Sequence, residues 1–285
     1  MTITDADGIQ FLQWGLPRLH LRWPGFRKVR RQVYKRIRRR LQELGFSGVA
    51  EYRAYLEDHP AEWAVLDALC WISISRFYRD KGVFQYVARE ILWQLAQKVV
   101  TDGASEVRCW SAGCAAGEEP YTLAILWKQH LAAQCPTLEM RIVATDVDPQ
   151  AIQRAKRGCY PASSLKDLPA EWRAQAFVPS DQGFCLKPEY QELVTFFVQD
   201  VRETVPDGLF QLILCRNVAF TYFDDALQKE TLHTITERLV PGGALVIGAL
   251  EALSEGVWGL EPWAKKLGVY RKSPVSYPRV QVFVS

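Results

Sequence analysis

The sequence predicts a doubly wound α/β domain, preceded by a small all-helical domain and interrupted by a small insert. Three features of the chain point that way. From residue 107 to residue 247, short apolar runs alternate with helical patterns, the rhythm of a sheet flanked by helices on both faces. Before residue 90, apolar side chains recur only at three- and four-residue steps. Residues 160–190 break the alternation with a helix signal at 168–177 and short strand candidates of their own. The 285 residues, 48% of them hydrophobic, suffice for one large α/β domain and a satellite. The expected division is 1–90 for an arm and the helical domain, and 91–285 for the α/β domain with its insert at about 160–190.

Taken in order, residues 1–25 show little periodicity and contain Pro17, Pro24 and Gly25, so they read as a loose arm. Phe26, Val29, Val33, Ile37, Leu41 and Leu44 then line one face of a helix, and Gly45 stops it. Ser47 starts a short helix through Tyr52 and Leu56 that His59-Pro60 ends, and 61–68 is helical again. In the second domain 107–111, 141–145, 194–198, 209–214 and 244–247 read as strands. The run 209–214 is almost unbroken apolar, as in a strand covered on both faces. Residues 119–131, 149–157 and 226–239 read as helices, and Pro241-Gly242-Gly243 as a turn.

Composition narrows the function classes. No apolar run reaches the roughly 18 residues of a membrane helix. Asp5 and Asp7 stand where a signal peptide would want basic residues, so a cytoplasmic protein without membrane insertion is expected. The seven cysteines are scattered without a CxxC pair, and the four histidines lie far apart. This fits reduced, buried thiols and no metal centre, rather than a disulfide framework. Charge is uneven: residues 1–60 hold 12 Lys/Arg against 6 Asp/Glu, and the rest 23 against 26. Nine of those cations, Arg27, Lys28, Arg30, Arg31, Lys35, Arg36, Arg38, Arg39 and Arg40, crowd onto the predicted first helix. A solvated face, a nucleic-acid surface and a dock for an acidic protein all fit such a run.

The chemistry concentrates in WSAGCAAGEEPY, residues 110–121. Gly113, Ala115, Ala116 and Gly117 keep the turn after the first strand small, so a ligand can approach the backbone. A phosphate at such a turn is held by the N–H groups of the following helix. Here Glu118 and Glu119 stand at that helix start and repel an anion. They suit a cation, and S-adenosylmethionine (SAM) carries an ammonium and a sulfonium. Glu119 reads equally as a partner of the helix dipole; Glu118 reads as the ligand contact. Asp146, ending the second strand, is placed to accept hydrogen bonds from ribose hydroxyls, whereas Asp148 before Pro149 reads as a helix cap. Arg216 and Asn217 lie just beyond the buried strand 209–214, on the edge where such sheets bind ligands.

Several motifs in one order give the chain a family resemblance. RKVRRQVYKRIRRRLQELG, FYRD at 77–80, WSAGCAAGEEPYTLA, ATDVDPQAIQRAKRGCY, CRNV…YFD and LVPGG together resemble the chemotaxis-receptor glutamate O-methyltransferases (CheR-type), from about Arg27 to Leu253. The resemblance implies a Rossmann-like SAM-dependent methyltransferase fold, a small N-terminal helical domain and a small inserted β-subdomain. It implies SAM as cofactor and S-adenosylhomocysteine as product. Ala112, Gly113, Glu118 and Asp146 would touch the cofactor, Arg216 and Asn217 would line its methionine end, and Asp200 and Val201 would hold the family's Asn-Leu position near the adenine. Ser73 and Ser75 take places usually filled by Asn and Thr. Arg79 matches the arginine beside the cofactor and the methyl-accepting carboxylate, and Tyr222 matches a tyrosine near the transferring methyl. Two departures stand on the acceptor side: one extra residue between Asn217 and Tyr222, and Gly248-Ala249-Leu250-Glu251 where the family often reads GHSE.

The implied reaction needs no general base. A glutamate carboxylate, with an ordinary pKa of about 4.3, is already ionised at neutral pH. The expected partner is an acidic helical cytoplasmic region of chemoreceptors, met by the basic helix from Arg27 to Arg40, with nucleic acid disfavoured. A methyltransferase of the same fold acting on another protein or a small molecule, and a SAM-binding regulator without catalysis, are the alternatives.

Overall fold

The computed structural model describes residues 4–253 and 259–273; the far end of the second expected domain lies outside them. Two compact units emerge. One comprises the described chain up to Ile74 together with Asn217–Glu230, and the other Ser75–Arg216 and the described chain from Thr231.

The larger unit is built on strands β1 (Glu106–Ala112), β2 (Glu139–Asp146), β3 (Cys159–Tyr160), β4 (Phe177–Ser180), β5 (Gly183–Leu186), β6 (Val194–Val198), β7 (Phe210–Cys215), β8 (Leu239–Ile247), β9 (Leu260–Ala264) and β10 (Val269–Lys272). Seven form one sheet in the order β6-β2-β1-β7-β8-β10-β9. The first five in that order run parallel, and β10 is antiparallel to both neighbours. Helices Glu118–His130 and Pro149–Arg157 follow β1 and β2 as crossover helices. Chain order reverses between β1 and β7, so a crevice opens beyond their carboxyl ends, where sheets of this kind bind ligands. The sheet interior is apolar: Val107, Cys109, Ile142, Ala144, Leu212, Leu214, Ala244 and Val246 are buried. Trp110 is fully buried and donates its indole N–H to Thr145 Oγ1 at 3.0 Å, which ties β1 to β2 just below the turn.

Three features differ from expectation. Pro241-Gly242-Gly243 is a bulge inside β8, not a turn: the pairing steps from Phe210↔Leu239 to Leu212↔Ala244 across it. The C-terminal pair β9 and β10 adds two strands beyond those expected from the sequence. The expectation of reduced thiols throughout is corrected at Cys159 and Cys185, which form a disulfide. The physical reason is register, since antiparallel pairing of β3 with β5 sets these two residues opposite each other despite 26 residues of separation. The insert is a three-stranded antiparallel sheet in the order β3-β5-β4, with the helix Ala170–Ala176 leading into β4.

The smaller unit corrects the reading of a loose arm. Residues Asp5–Gly15 are an α-helix capped by Thr4, whose Oγ1 accepts from Asp7 N at 3.1 Å. Phe11, Leu12 and Leu16 are buried. Gly8 lies against Tyr34 so closely that a Cβ there would sit 2.5 Å from the ring. The basic helix starts later than expected, at Arg30–Leu44, with Val33, Tyr34, Ile37 and Leu41 inward. Arg39 pairs with Glu43 on the same helix at 3.5 Å, and three other cations bind residues outside the helix. Arg30 makes a two-pronged pair with Asp5 at 2.9 Å. Arg36 donates to the carbonyls of Leu69 and Trp71. Arg40 makes a two-pronged pair with the buried Glu62 at 2.9 and 2.8 Å, and Glu62 also accepts from Tyr52 Oη at 2.8 Å.

Candidate functional site

The turn after β1 is pinned to β2 by its backbone. Gly113 N and Cys114 N both donate to Thr145 O, at 2.8 and 2.9 Å, and Ala115 N donates to Asp146 Oδ2 at 2.7 Å. The chain then passes through left-handed backbone at Ala115 (φ 50°) and Gly117 (φ 91°) before the helix Glu118–His130 begins. Position 117 requires glycine twice over: by its φ, and because a Cβ would meet Ala155 Cβ and Tyr160 Oη at 3.0 Å. Tyr160 belongs to the insert and donates to Ala116 O at 2.7 Å, so the insert buttresses the turn.

Two carboxylates face this turn. Glu118 is 5% exposed, and its Oε2 is buried with no hydrogen-bond partner among the described residues. A buried, unanswered acceptor of that kind fits a ligand donor or cation. Asp146 accepts from Ala115 N through one oxygen and from Asp148 N, at 3.0 Å, through the other; each oxygen keeps a lone pair with which it could accept from a ligand hydroxyl. Asp148 caps the next helix, its Oδ1 accepting from Gln150 N at 2.9 Å, as expected. Together these groups fit SAM: acid for its cationic groups, acceptors for its ribose, and small residues beside the backbone.

Burial pushes both the Glu118 and the Asp146 carboxyls above the ordinary carboxylate range. Their effect on stability follows from the sign: the raised folded values favour the ligand-free fold at low pH, and this contribution is lost as pH rises through them. A cationic ligand prefers the ionised forms. If these two carboxylates hold the cofactor, SAM affinity is expected to rise with pH through the raised range and level off above it, with proton release on binding below the plateau. Calorimetry in buffers of different ionisation enthalpy checks this, and an affinity flat with pH would contradict it.

Behind the carboxylates lies a buried ion network. Arg216, at the end of β7, donates through Nη1 to Glu119 Oε2 at 3.0 Å. Its Nη2 reaches Asp80 Oδ2 at 2.6 Å and Arg79 O at 3.3 Å. Ser111 Oγ donates to Glu119 Oε1 at 2.9 Å, and the guanidinium lies 5.0 Å from the centre of the Phe84 ring. Glu119 is thus more than a dipole partner. It joins β1 to β7, and burial raises its carboxyl although Arg216 and Ser111 oppose the shift. Arg79 is held between two left-handed residues, Tyr78 (φ 58°) and Asp80 (φ 60°), a costly backbone of the kind found at functional sites. Phe77 and Tyr78 are buried; Phe77 N donates to Ser164 O at 3.0 Å and Tyr78 N to Thr122 Oγ1 at 3.0 Å.

Asp200 follows β6 and is held by Arg202. The guanidinium spans both carboxylate oxygens, Nε at 3.0 and 2.9 Å and Nη2 at 2.6 Å, and Val201 sits between the two.

The structure thus brings Ser75, Arg79, Ala112, Gly113, Glu118, Asp146, Asp200, Val201 and Arg216 into one unit. Ser73, Asn217 and Tyr222 belong to the smaller one. Asn217 has left-handed backbone (φ 57°), and Tyr222 ends the helical turn Ala219–Tyr222 with its ring 5.0 Å from that of Phe26. Sequence reasoning missed Asp80, Ser111 and Arg202. The FYRD motif contained Asp80, and Arg202 stands two residues from Asp200, but nothing in a linear pattern shows which cation meets which acid.

Comparison with known proteins agrees with this geometry. The family model described as "CheR methyltransferase, SAM binding domain" matches residues 73–263, and "CheR methyltransferase, all-alpha domain" matches residues 28–69. The chain is 29% identical over 226 residues to a chemotaxis protein methyltransferase of Borreliella burgdorferi, covering 78% of this chain and 80% of that one. It is 30% identical over 234 residues to the chemotaxis protein methyltransferase of Escherichia coli, covering 79% and 77%. It is 26% identical over 281 residues to chemotaxis protein methyltransferase 2 of Vibrio cholerae, covering 95% and 94%.

Proposed function

Because the chain belongs to the CheR methyltransferase family, we propose that it moves the methyl group of SAM onto glutamate side-chain carboxylates of chemoreceptors, in the cytoplasm. The observation that carries this reading is the buried, unpartnered Glu118 Oε2 beside Asp146 and the glycine turn. SAM supplies an electrophilic methyl group on a sulfonium. The residues of this chain bind and position; no proton need be moved, since the acceptor is already ionised. Glu118 and Asp146 hold the cofactor, with Ala112 and Gly113 beside it, Asp200 and Val201 at its adenine side, and Ser73, Ser75, Arg216 and Asn217 as further contacts. Arg79 orients the acceptor carboxylate, and Tyr222 hydrogen-bonds near the transferring methyl. The test is incubation with methyl-labelled SAM and chemoreceptor cytoplasmic fragments, followed by peptide mapping. Label on glutamate side chains supports the reading; label elsewhere, or none, refutes it.

The docking surface in this reading is a stripe of the basic helix. Arg31, Lys35 and Arg39 recur at four-residue steps and are exposed, with Arg27 and Lys28 exposed just before them. Arg30, Arg36 and Arg40 hold the helical unit together instead. Reversing Arg31 and Lys35 to Glu is expected to weaken binding to a receptor fragment by about tenfold or more at low salt, less as salt rises. Binding measured by calorimetry at two ionic strengths checks this. Binding to RNA but not to the fragment would overturn it.

A further inference from the structure

The helical turn that carries Tyr222 is held by a segment outside the part of the chain matched by the family's all-alpha domain, which begins at residue 28. Helix Ala219–Tyr222 is a single turn, so its last carbonyls have no partners within it. Arg22 answers three of them in succession. Its Nη2 donates to Phe220 O, its Nε to Thr221 O at 3.1 Å, and its backbone N to Tyr222 O at 2.8 Å. On one side of Arg22, Leu21 forms an antiparallel bridge with Phe223, and His20 O accepts from Asp224 N at 2.8 Å. On the other, Gly25 meets the turn so closely that a Cβ would lie 2.3 Å from Thr221 O. Phe26 then sets its ring 5.0 Å from that of Tyr222.

The turn is thus capped by a guanidinium and wedged against a glycine, which fixes the backbone that carries Tyr222. We infer that Arg22 and Gly25 are positioning residues, which set the Tyr222 side chain for methyl transfer without touching cofactor or acceptor. The inference rests on the reading of Tyr222 as the methyl-side tyrosine.

The test compares Arg22→Ala, Arg22→Lys, Gly25→Ala, Tyr222→Phe and the double variant Arg22→Ala/Tyr222→Phe, with labelled SAM and a receptor fragment. Arg22→Ala lowers kcat about ten- to a hundredfold, the scale of a misplacement of about 1 Å, while KM for SAM changes by less than about threefold. Arg22→Lys keeps the charge but not the fork, and falls between wild type and Arg22→Ala. Gly25→Ala behaves like Arg22→Ala. Because Arg22 acts through Tyr222, the double variant is no slower than Tyr222→Phe alone. Wild-type kcat in Arg22→Ala, or losses that multiply in the double variant, overturns the inference and leaves the reading of Tyr222 standing. Wild-type kcat in Tyr222→Phe overturns that reading, whatever Arg22 does. If Arg22→Ala no longer binds SAM at all, Arg22→Lys and Gly25→Ala decide the matter by the same kcat-against-KM split.

Discussion

Glu118→Gln is expected to raise the Kd for SAM by about ten- to a hundredfold, the range for losing a hydrogen bond to a charged group. The side chain keeps its shape, so the glycine turn stays in place and only the charge is removed. Glu118 Oε2 is buried without a hydrogen-bond partner among the described residues, and burial already holds the carboxyl above its ordinary range. Such a group costs the ligand-free fold energy, and in the proposed role it meets a cation. Thermal stability without ligand should therefore hold or rise in the variant, while affinity for SAM falls. Calorimetric titration with SAM, beside a melting curve, reads both. An unchanged Kd would show that the carboxylate is not a ligand contact.

Arg79→Ala is expected to lower kcat for methyl transfer by about a hundredfold, with a much smaller loss of SAM affinity. The backbone around Arg79 is built to hold it. Tyr78 and Asp80 flank it in left-handed conformations, its carbonyl accepts from Arg216, and Asp80 pairs with the same guanidinium. An arginine bound too tightly to the acceptor would blunt the carboxylate as a nucleophile. In the proposed role its contribution is placement, so its loss is expected to appear in kcat. Single-turnover kinetics with saturating SAM measures this, and wild-type turnover would remove Arg79 from the mechanism.

These two residues also show what a linear sequence can disclose. Helix Pro149–Arg157 and strand Val194–Val198 have the bounds read from the sequence, because their signals are local: an Asp-Pro start in one, an apolar run in the other. The glycine turn and Asp146 were legible for the same reason, since a strand, a tight turn and a helix follow each other directly. What stayed hidden depends on partners far along the chain. The basic helix read as a run of unanswered cations because Asp5, Glu62 and the carbonyls of Leu69 and Trp71 lie well outside it. The arm read as loose because its order comes from burial of Phe11 and Leu12 and from the approach of Gly8 to Tyr34, not from any internal period. Cys159 and Cys185 read as separate thiols because only the pairing of β3 with β5 sets them opposite each other. At the site, Glu119 gave two readings and the structure a third, an anchor for Arg216.

The central claim is that the transferred methyl ends as an ester on a carboxylate. Methyl-labelled SAM, the protein and a chemoreceptor cytoplasmic fragment are incubated together, and the washed product is treated with mild base. The account predicts label released as volatile methanol, lost when the acceptor glutamates of the fragment are replaced by alanine. Label that stays on the fragment through base would place the methyl on nitrogen or sulfur, and would contradict it.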